Sequence, residues 1–100
     1  MFSTLTPAEA KPVLTDFDAI LDVRTQAEWE AGHVDLPSVT HVDSFHLNPD
    51  KVTEVQHLAC KKVLVHCGSG KRAALVAEIL EAAKFSDVTI VTPGGYAQLA

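Results

Sequence analysis

The sequence predicts an α/β fold: a small, mainly parallel sheet with helices on both faces. Three observations lead there. Short β-branched apolar runs alternate with helix signals along the 100 residues. Two helices open on capping boxes, and Gly- or Pro-containing breaks follow the later strands and helices. No repeat, low-complexity tract or linker interrupts the alternation, so residues 1–100 read as one domain with one core. Strand–helix–strand alternation implies right-handed crossovers. In such sheets the ligand crevice lies at the carboxyl ends of the strands.

Each element has a local reason. Thr6 caps a first helix, Pro7 suits its first position, and Glu9 completes the box; Pro12 should end or kink it. Residues 19–23, Ala-Ile-Leu-Asp-Val, read as a buried strand. Thr25 and Glu28 form a second capping box, with Gly32 as the stop. Residues 39–42 make a short strand. Asn48-Pro49 opens a helix carrying Val52, Val55 and Leu58 on one face. Residues 62–66 form the next strand. The helix after Arg72 is apolar nearly all round, with Glu78, Glu81 and Lys84 on its polar strip, so it should be buried against the sheet. Ser86-Asp87 turns the chain, 88–91 form a last strand, and Pro93-Gly94-Gly95 breaks it.

Composition excludes several functions. The apolar share is 47% and the charged share 21%, values of an ordinary globular chain. A net charge of −5 argues against nucleic-acid binding, which needs a basic face. No apolar stretch has the length of a membrane span, and Met1-Phe2-Ser3-Thr4 opens no signal peptide. Cys60 and Cys67 lie on different elements, which disfavours a disulfide and suits a reducing, cytoplasmic setting.

Chemistry concentrates at His66-Cys67-Gly68-Ser69-Gly70-Lys71-Arg72. A cysteine at a strand-to-helix turn meets converging backbone N–H groups and the positive helix end. Lys71 and Arg72 add charge of the same sign, so thiolate is favoured over thiol, and the thiolate is the nucleophile. Gly68 and Gly70 permit positive φ, which would let successive N–H groups form an anion nest; Ser69 adds a hydroxyl.

With these residues the chain resembles the rhodanese homology domain over nearly its whole length. Asp22-Val23-Arg24, Glu28-Trp29 and Gly32-His33-Val34 are similar to that family's first signature. Cys67 to Arg72 is similar to its active-site loop, and Pro93-Gly94-Gly95-Tyr96 to its C-terminal signature. The Cys67-Gly68-Ser69-Gly70 opening resembles mercaptopyruvate sulfurtransferases. The Lys71-Arg72 ending is closer to small single-domain thiosulfate sulfurtransferases. At 34–39, Val-Asp-Leu-Pro-Ser-Val replaces the family's usual Pro-Gly-Ala turn with two extra residues and no glycine. The resemblance implies sulfane sulfur transfer: Cys67 as nucleophile, Gly68, Ser69, Gly70, Lys71 and Arg72 around the substrate, and no cofactor. It further implies a small-molecule sulfur donor such as thiosulfate, with a thiol, cyanide or protein acceptor.

Other polar residues have blander readings. Asp22 and Arg24 are expected to form an ion pair or capping network bracing the next helix through Glu28. His33, His41, His46, His57 and His66 show no paired metal-ligand spacing, and a zinc-bound thiolate would be a blunted nucleophile, so no metal is expected. His66 points to the strand face opposite Cys67 and should pack rather than act as a base. Trp29 is expected to anchor the core, and Cys60 to be a surface spectator. Two rival readings stand beside sulfur transfer. One is a cysteine phosphatase or arsenate reductase, disfavoured because such loops hold five residues between cysteine and arginine and this one holds four. The other is a persulfide carrier or sensing module serving a protein partner.

Overall fold

Parallel pairing governs the whole molecule, which the computed structural model describes over residues 2–99. Five strands, β1 (Ser3–Leu5), β2 (Ala19–Asp22), β3 (Val39–His41), β4 (Lys62–His66) and β5 (Asp87–Val91), form one sheet in the order β1-β5-β4-β2-β3. Every pairing in it is parallel, a stricter result than the mainly parallel sheet expected. The helices are α1 (Pro7–Ala10), α2 (Gln26–Ala31), α3 (Lys71–Ala82) and α4 (Tyr96–Leu99).

The central strands bury both faces. Leu21, Val63, Val65, Cys67 and Ile90 face one core, which α3 covers with Ala73, Val76, Ala77 and Leu80. Alanine at two of those four positions lets the helix lie close to the strands. Ile20, Leu64 and Val91 face a second core, covered by Ala10, Leu14 and Leu99. The helical layers thus lie on both faces, as predicted. Truncating Leu80 to alanine would cost about 2–5 kcal/mol of stability, the range for a buried leucine.

Both capping boxes form. Thr6 accepts from Glu9 N–H at 3.2 Å while Glu9 accepts from Thr6 N–H at 2.9 Å, and Thr25 and Glu28 repeat the pattern. Pro12 does end α1: the chain tightens into a 3-10 segment over Lys11–Asp16.

Three expectations need correction. β1 gave no strand signal: it is three residues long, largely exposed, and exists through pairing with β5. The helix expected from Asn48-Pro49 is instead two 3-10 segments, Pro49–Glu54 and Gln56–Leu58. Its apolar residues recur every third position, which is the 3-10 period rather than the α period. Trp29 is only partly buried, on a helix with no buried residue. Its indole stacks on His33 at 3.7 Å and on His41 at 4.7 Å instead of entering the core.

Candidate active site

β4 delivers Cys67 at its carboxyl end, and α3 begins four residues later. The N-cap of α3 is Gly70, at φ 96°, so the helix has no side-chain cap. The cysteine sulfur takes that role. Cys67 Sγ accepts from Gly70 N–H at 3.1 Å and from Ala73 N–H at 3.4 Å. Those donors carry the partial positive charge of a helix start, suited to a sulfur anion. Glycine is required at 70 for a second reason, since a Cβ there would stand 2.5 Å from Thr92 Oγ1.

The anion nest differs from the one expected. Gly70 has positive φ, but Gly68 does not, and its value is space: a Cβ at 68 would sit 3.1 Å from Arg72 Nη2. Gly68 and Ser69 are exposed at the mouth of the loop, while Cys67 has no exposed surface.

The two cations separate. Lys71 is exposed to solvent. Arg72 turns to Glu28, with Nη1–Oε1 at 2.7 Å and Nη2–Oε2 at 3.0 Å. This bidentate pair, charge-assisted and fixed in orientation, ties α2 to α3 across 44 residues of sequence. The Arg72 hydrogen bond lowers the Glu28 carboxyl to about 2, against a smaller opposing effect of burial. Arg72 is correspondingly raised, chiefly by Glu28 and in smaller part by the neighbouring Cys67. Glu28 therefore braces Arg72, not Asp22 and Arg24 as expected from sequence.

Asp22 and Arg24 form their own pair on the opposite face. Arg24 Nε donates to both Asp22 oxygens at 2.9 and 3.1 Å and Nη2 to Oδ2 at 2.7 Å, Arg24 N–H adds a fourth bond at 3.1 Å, and both side chains are buried. Arg24 Nη2 also donates to Gly32 O at 2.8 Å, and its guanidinium lies 4.2 Å from the Tyr96 ring centroid. Burial pushes the Asp22 carboxyl up, but the Arg24 hydrogen bonds and nearby positive charge outweigh it and hold the group below its ordinary range. His66 lies in this second cluster, its Nε2 4.0 Å from Asp22 Oδ2, and neither ring nitrogen has a hydrogen-bond partner. Burial lowers His66 to about 4, so it is neutral near pH 7 and packs, as its strand parity predicted.

The C-terminal Pro93-Gly94-Gly95-Tyr96 signature has a task that its residues alone do not reveal. Tyr96 N–H donates to Cys67 O at 2.9 Å and Gly94 N–H to Ser69 O at 3.0 Å, so this turn clamps the cysteine loop from behind. A Cβ at Gly95 would run into Cys67 O, so only glycine permits the approach. The Pro93-Gly94-Gly95 run was the available signal.

The histidines disperse: His33 and His41 stack on Trp29, His57 is exposed, and His66 lies beneath the sheet's other face. Among the described residues no cluster of three or more His, Cys, Asp or Glu could hold a metal. Cys60 is exposed, as expected, whereas Cys67 is buried. A groove of about 520 Å³ opens between the 3-10 segment after α1 and the 33–36 loop, and no residue of the 67–72 loop lines it. None of the described helices is long and apolar enough to cross a membrane.

A family model described as the rhodanese-like domain matches residues 6–100. The chain belongs to the rhodanese-like domain family. Among curated proteins it is similar to a tRNA uridine(34) hydroxylase of Cytophaga hutchinsonii, 33% identical over 85 residues. That match covers 84% of this chain and 27% of the relative, so the chain spans about a quarter of the relative's length. Among solved structures it is similar to a rhodanese-like domain protein of Staphylococcus aureus, with a TM-score of 0.72 at 24% identity, covering 99% of this chain and 92% of that one. The polysulfide-sulfur transferase homodimer of Wolinella succinogenes superposes with a TM-score of 0.72 at 25% identity, covering 93% of this chain and 69% of that one. The five-stranded parallel sheet with helices matches the fold of these rhodanese-like neighbours.

Proposed function

We propose that this rhodanese-like domain transfers sulfane sulfur through a persulfide on Cys67. The observation that carries the reading is the pair of N–H donors from Gly70 and Ala73 converging on Sγ at the start of α3. They stabilise negative charge on the sulfur before and during attack. The Cys67 thiolate attacks the outer sulfur of thiosulfate. The sulfur–sulfur bond of the donor breaks, sulfite leaves with the electron pair, and a persulfide remains on Cys67. A cyanide or thiolate acceptor then attacks that outer sulfur, and Cys67 departs as thiolate, so no net oxidant or cofactor is required.

Thiosulfate is favoured over mercaptopyruvate on charge. It is a compact dianion, and exposed Lys71 beside a helix start complements it better than it complements a monoanionic keto acid. The phosphatase reading is weaker on two counts. Four residues separate Cys67 from Arg72, and the Arg72 fork that would hold phosphate oxygens is already bonded to Glu28. A second reading, a persulfide carrier acting for a protein partner in the reducing cytoplasm, draws support from the Cytophaga relative, in which a segment like this one is part of a much longer chain.

A donor panel tests the proposal. Incubation with thiosulfate should add one sulfur to Cys67, seen by mass spectrometry, and cyanide should discharge it with turnover. A persulfide that forms but does not turn over with small acceptors would favour the carrier. Absence of the adduct with every sulfane donor would overturn both.

A further inference from the structure

We propose that Glu28 is a positioning residue of this site: it holds the Arg72 fork beside Cys67 and offsets its charge, so that it sets how strongly the cysteine attracts anions. The inference rests on Cys67 being the reactive sulfur. Both oxygens of Glu28 face Arg72, at 2.7 and 3.0 Å, and the carboxylate is itself fixed from behind. Thr25 N–H and Oγ–H donate to Glu28 Oε1 at 3.0 and 3.1 Å, so the capping box of α2 aims the group. Gly68 leaves the guanidinium its room. Glu28 stays ionised throughout the neutral range because Arg72 lowers it to about 2. Arg72 therefore stands oriented with most of its charge cancelled, and attraction of an anionic donor falls to Lys71 and the helix start. Cap and counter-ion are one side chain, which couples the first signature of the chain to its cysteine loop.

The test separates charge from capping. Glutamine serves a capping box as well as glutamate does, so Glu28→Gln keeps the α2 cap and removes the charge. Aspartate at the same position keeps the charge and shortens the reach. In a Cys60→Ser background, which removes the exposed thiol, Cys67 is alkylated with neutral iodoacetamide and anionic iodoacetate at one pH. The iodoacetate-to-iodoacetamide rate ratio should rise about three- to fivefold in Glu28→Gln, the size of one partly exposed charge pair. Glu28→Asp should return it towards wild type, and Arg72→Ala should lower it. The thiosulfate KM should fall in Glu28→Gln while kcat also drops, because the fork loses one of its two anchors.

An unchanged ratio in Glu28→Gln, or equal slowing of both reagents, would overturn the proposal. So would a Glu28→Asp variant that behaves like Glu28→Gln, since the ratio would then not follow the charge at position 28. Alkylation needs no sulfur transfer, so these outcomes are independent of whether wild type forms a persulfide.

Discussion

The carboxyl end of β4 places two arginine–carboxylate pairs on opposite faces of the sheet. Beside Cys67 stands Glu28–Arg72, with side chains 37% and 25% exposed; beside His66 stands Asp22–Arg24, with 0% and 5%. Cys67 and His66 are adjacent and equally buried. Their surroundings differ in what is left open. The sulfur receives two N–H donors at a loop whose outer residues are exposed, whereas the imidazole receives none. Burial alone thus does not distinguish the two side chains. An ion pair that reaches solvent can serve chemistry, and one sealed under the sheet holds the fold.

The largest difference between the faces should appear on removing their central side chains. Cys67→Ser should abolish sulfur transfer, with activity below about 1% of wild type, because a serine hydroxyl cannot form the persulfide. The volume change is small, so the thermal unfolding midpoint should stay within a few degrees. Residual turnover of several per cent would show that the Cys67 face is not the working one.

Next in size comes the contrast between the arginines. Arg24→Ala strands the buried Asp22 carboxylate and should cost about 3–5 kcal/mol in chemical denaturation. Arg72→Ala should cost less than about 1 kcal/mol, the range of a partly exposed pair, while changing the kinetics. If the two variants lose similar stability, the division into a structural and a working pair is wrong.

Acid should also discriminate the faces. His66 is lowered by burial from 6.5 to about 4, so between those values the unfolded chain holds a proton that the folded one refuses. Stability is present above pH 6.5 and is lost as pH falls towards 4, by about 3 kcal/mol in all. Asp22, held below its ordinary 3.8, contributes in the same direction only at still lower pH. Replacing His66 with leucine should flatten the dependence between pH 6.5 and 4, measured by urea unfolding across that range. An unaltered slope would place the acid sensitivity elsewhere.

How much of this was legible in the sequence follows from how local each signal is. The cysteine loop was readable because strand, cysteine, glycines and helix are contiguous, and Thr6 and Thr25 announce their boxes within three residues. Asp22–Arg24 was readable as a pair for the same reason. Glu28–Arg72 was not, since those partners are 44 residues apart and meet only once β2 and β4 pair. β1 is a strand because β5 is beside it, which no property of Ser3-Thr4-Leu5 reveals. Trp29 departs from expectation because aromatic bulk does not dictate burial: the rings it stacks on, His33 and His41, hold it outside the core. The 3-10 segments could have been found: Val52, Val55 and Leu58 recur with period three.

The smallest expected effect belongs to Lys71. On the Cys67 face, exposed Lys71 directly precedes the paired arginine. With Arg72 largely neutralised by Glu28, exposed Lys71 is a cation placed to attract a dianion, but an exposed charge is worth less than about 1 kcal/mol. Lys71→Ala should therefore raise the thiosulfate KM about two- to fivefold with kcat nearly unchanged. It should affect mercaptopyruvate less, since that donor carries one charge instead of two. Screening acts over about 8 Å at physiological ionic strength, so the wild-type KM should rise with added salt and the variant's should rise less. At high salt the two should converge. A KM difference that persists there would mean Lys71 touches the donor directly. Equal losses with both donors would mean that the Cys67-Gly68-Ser69-Gly70 opening, rather than the lysine, sets the preference.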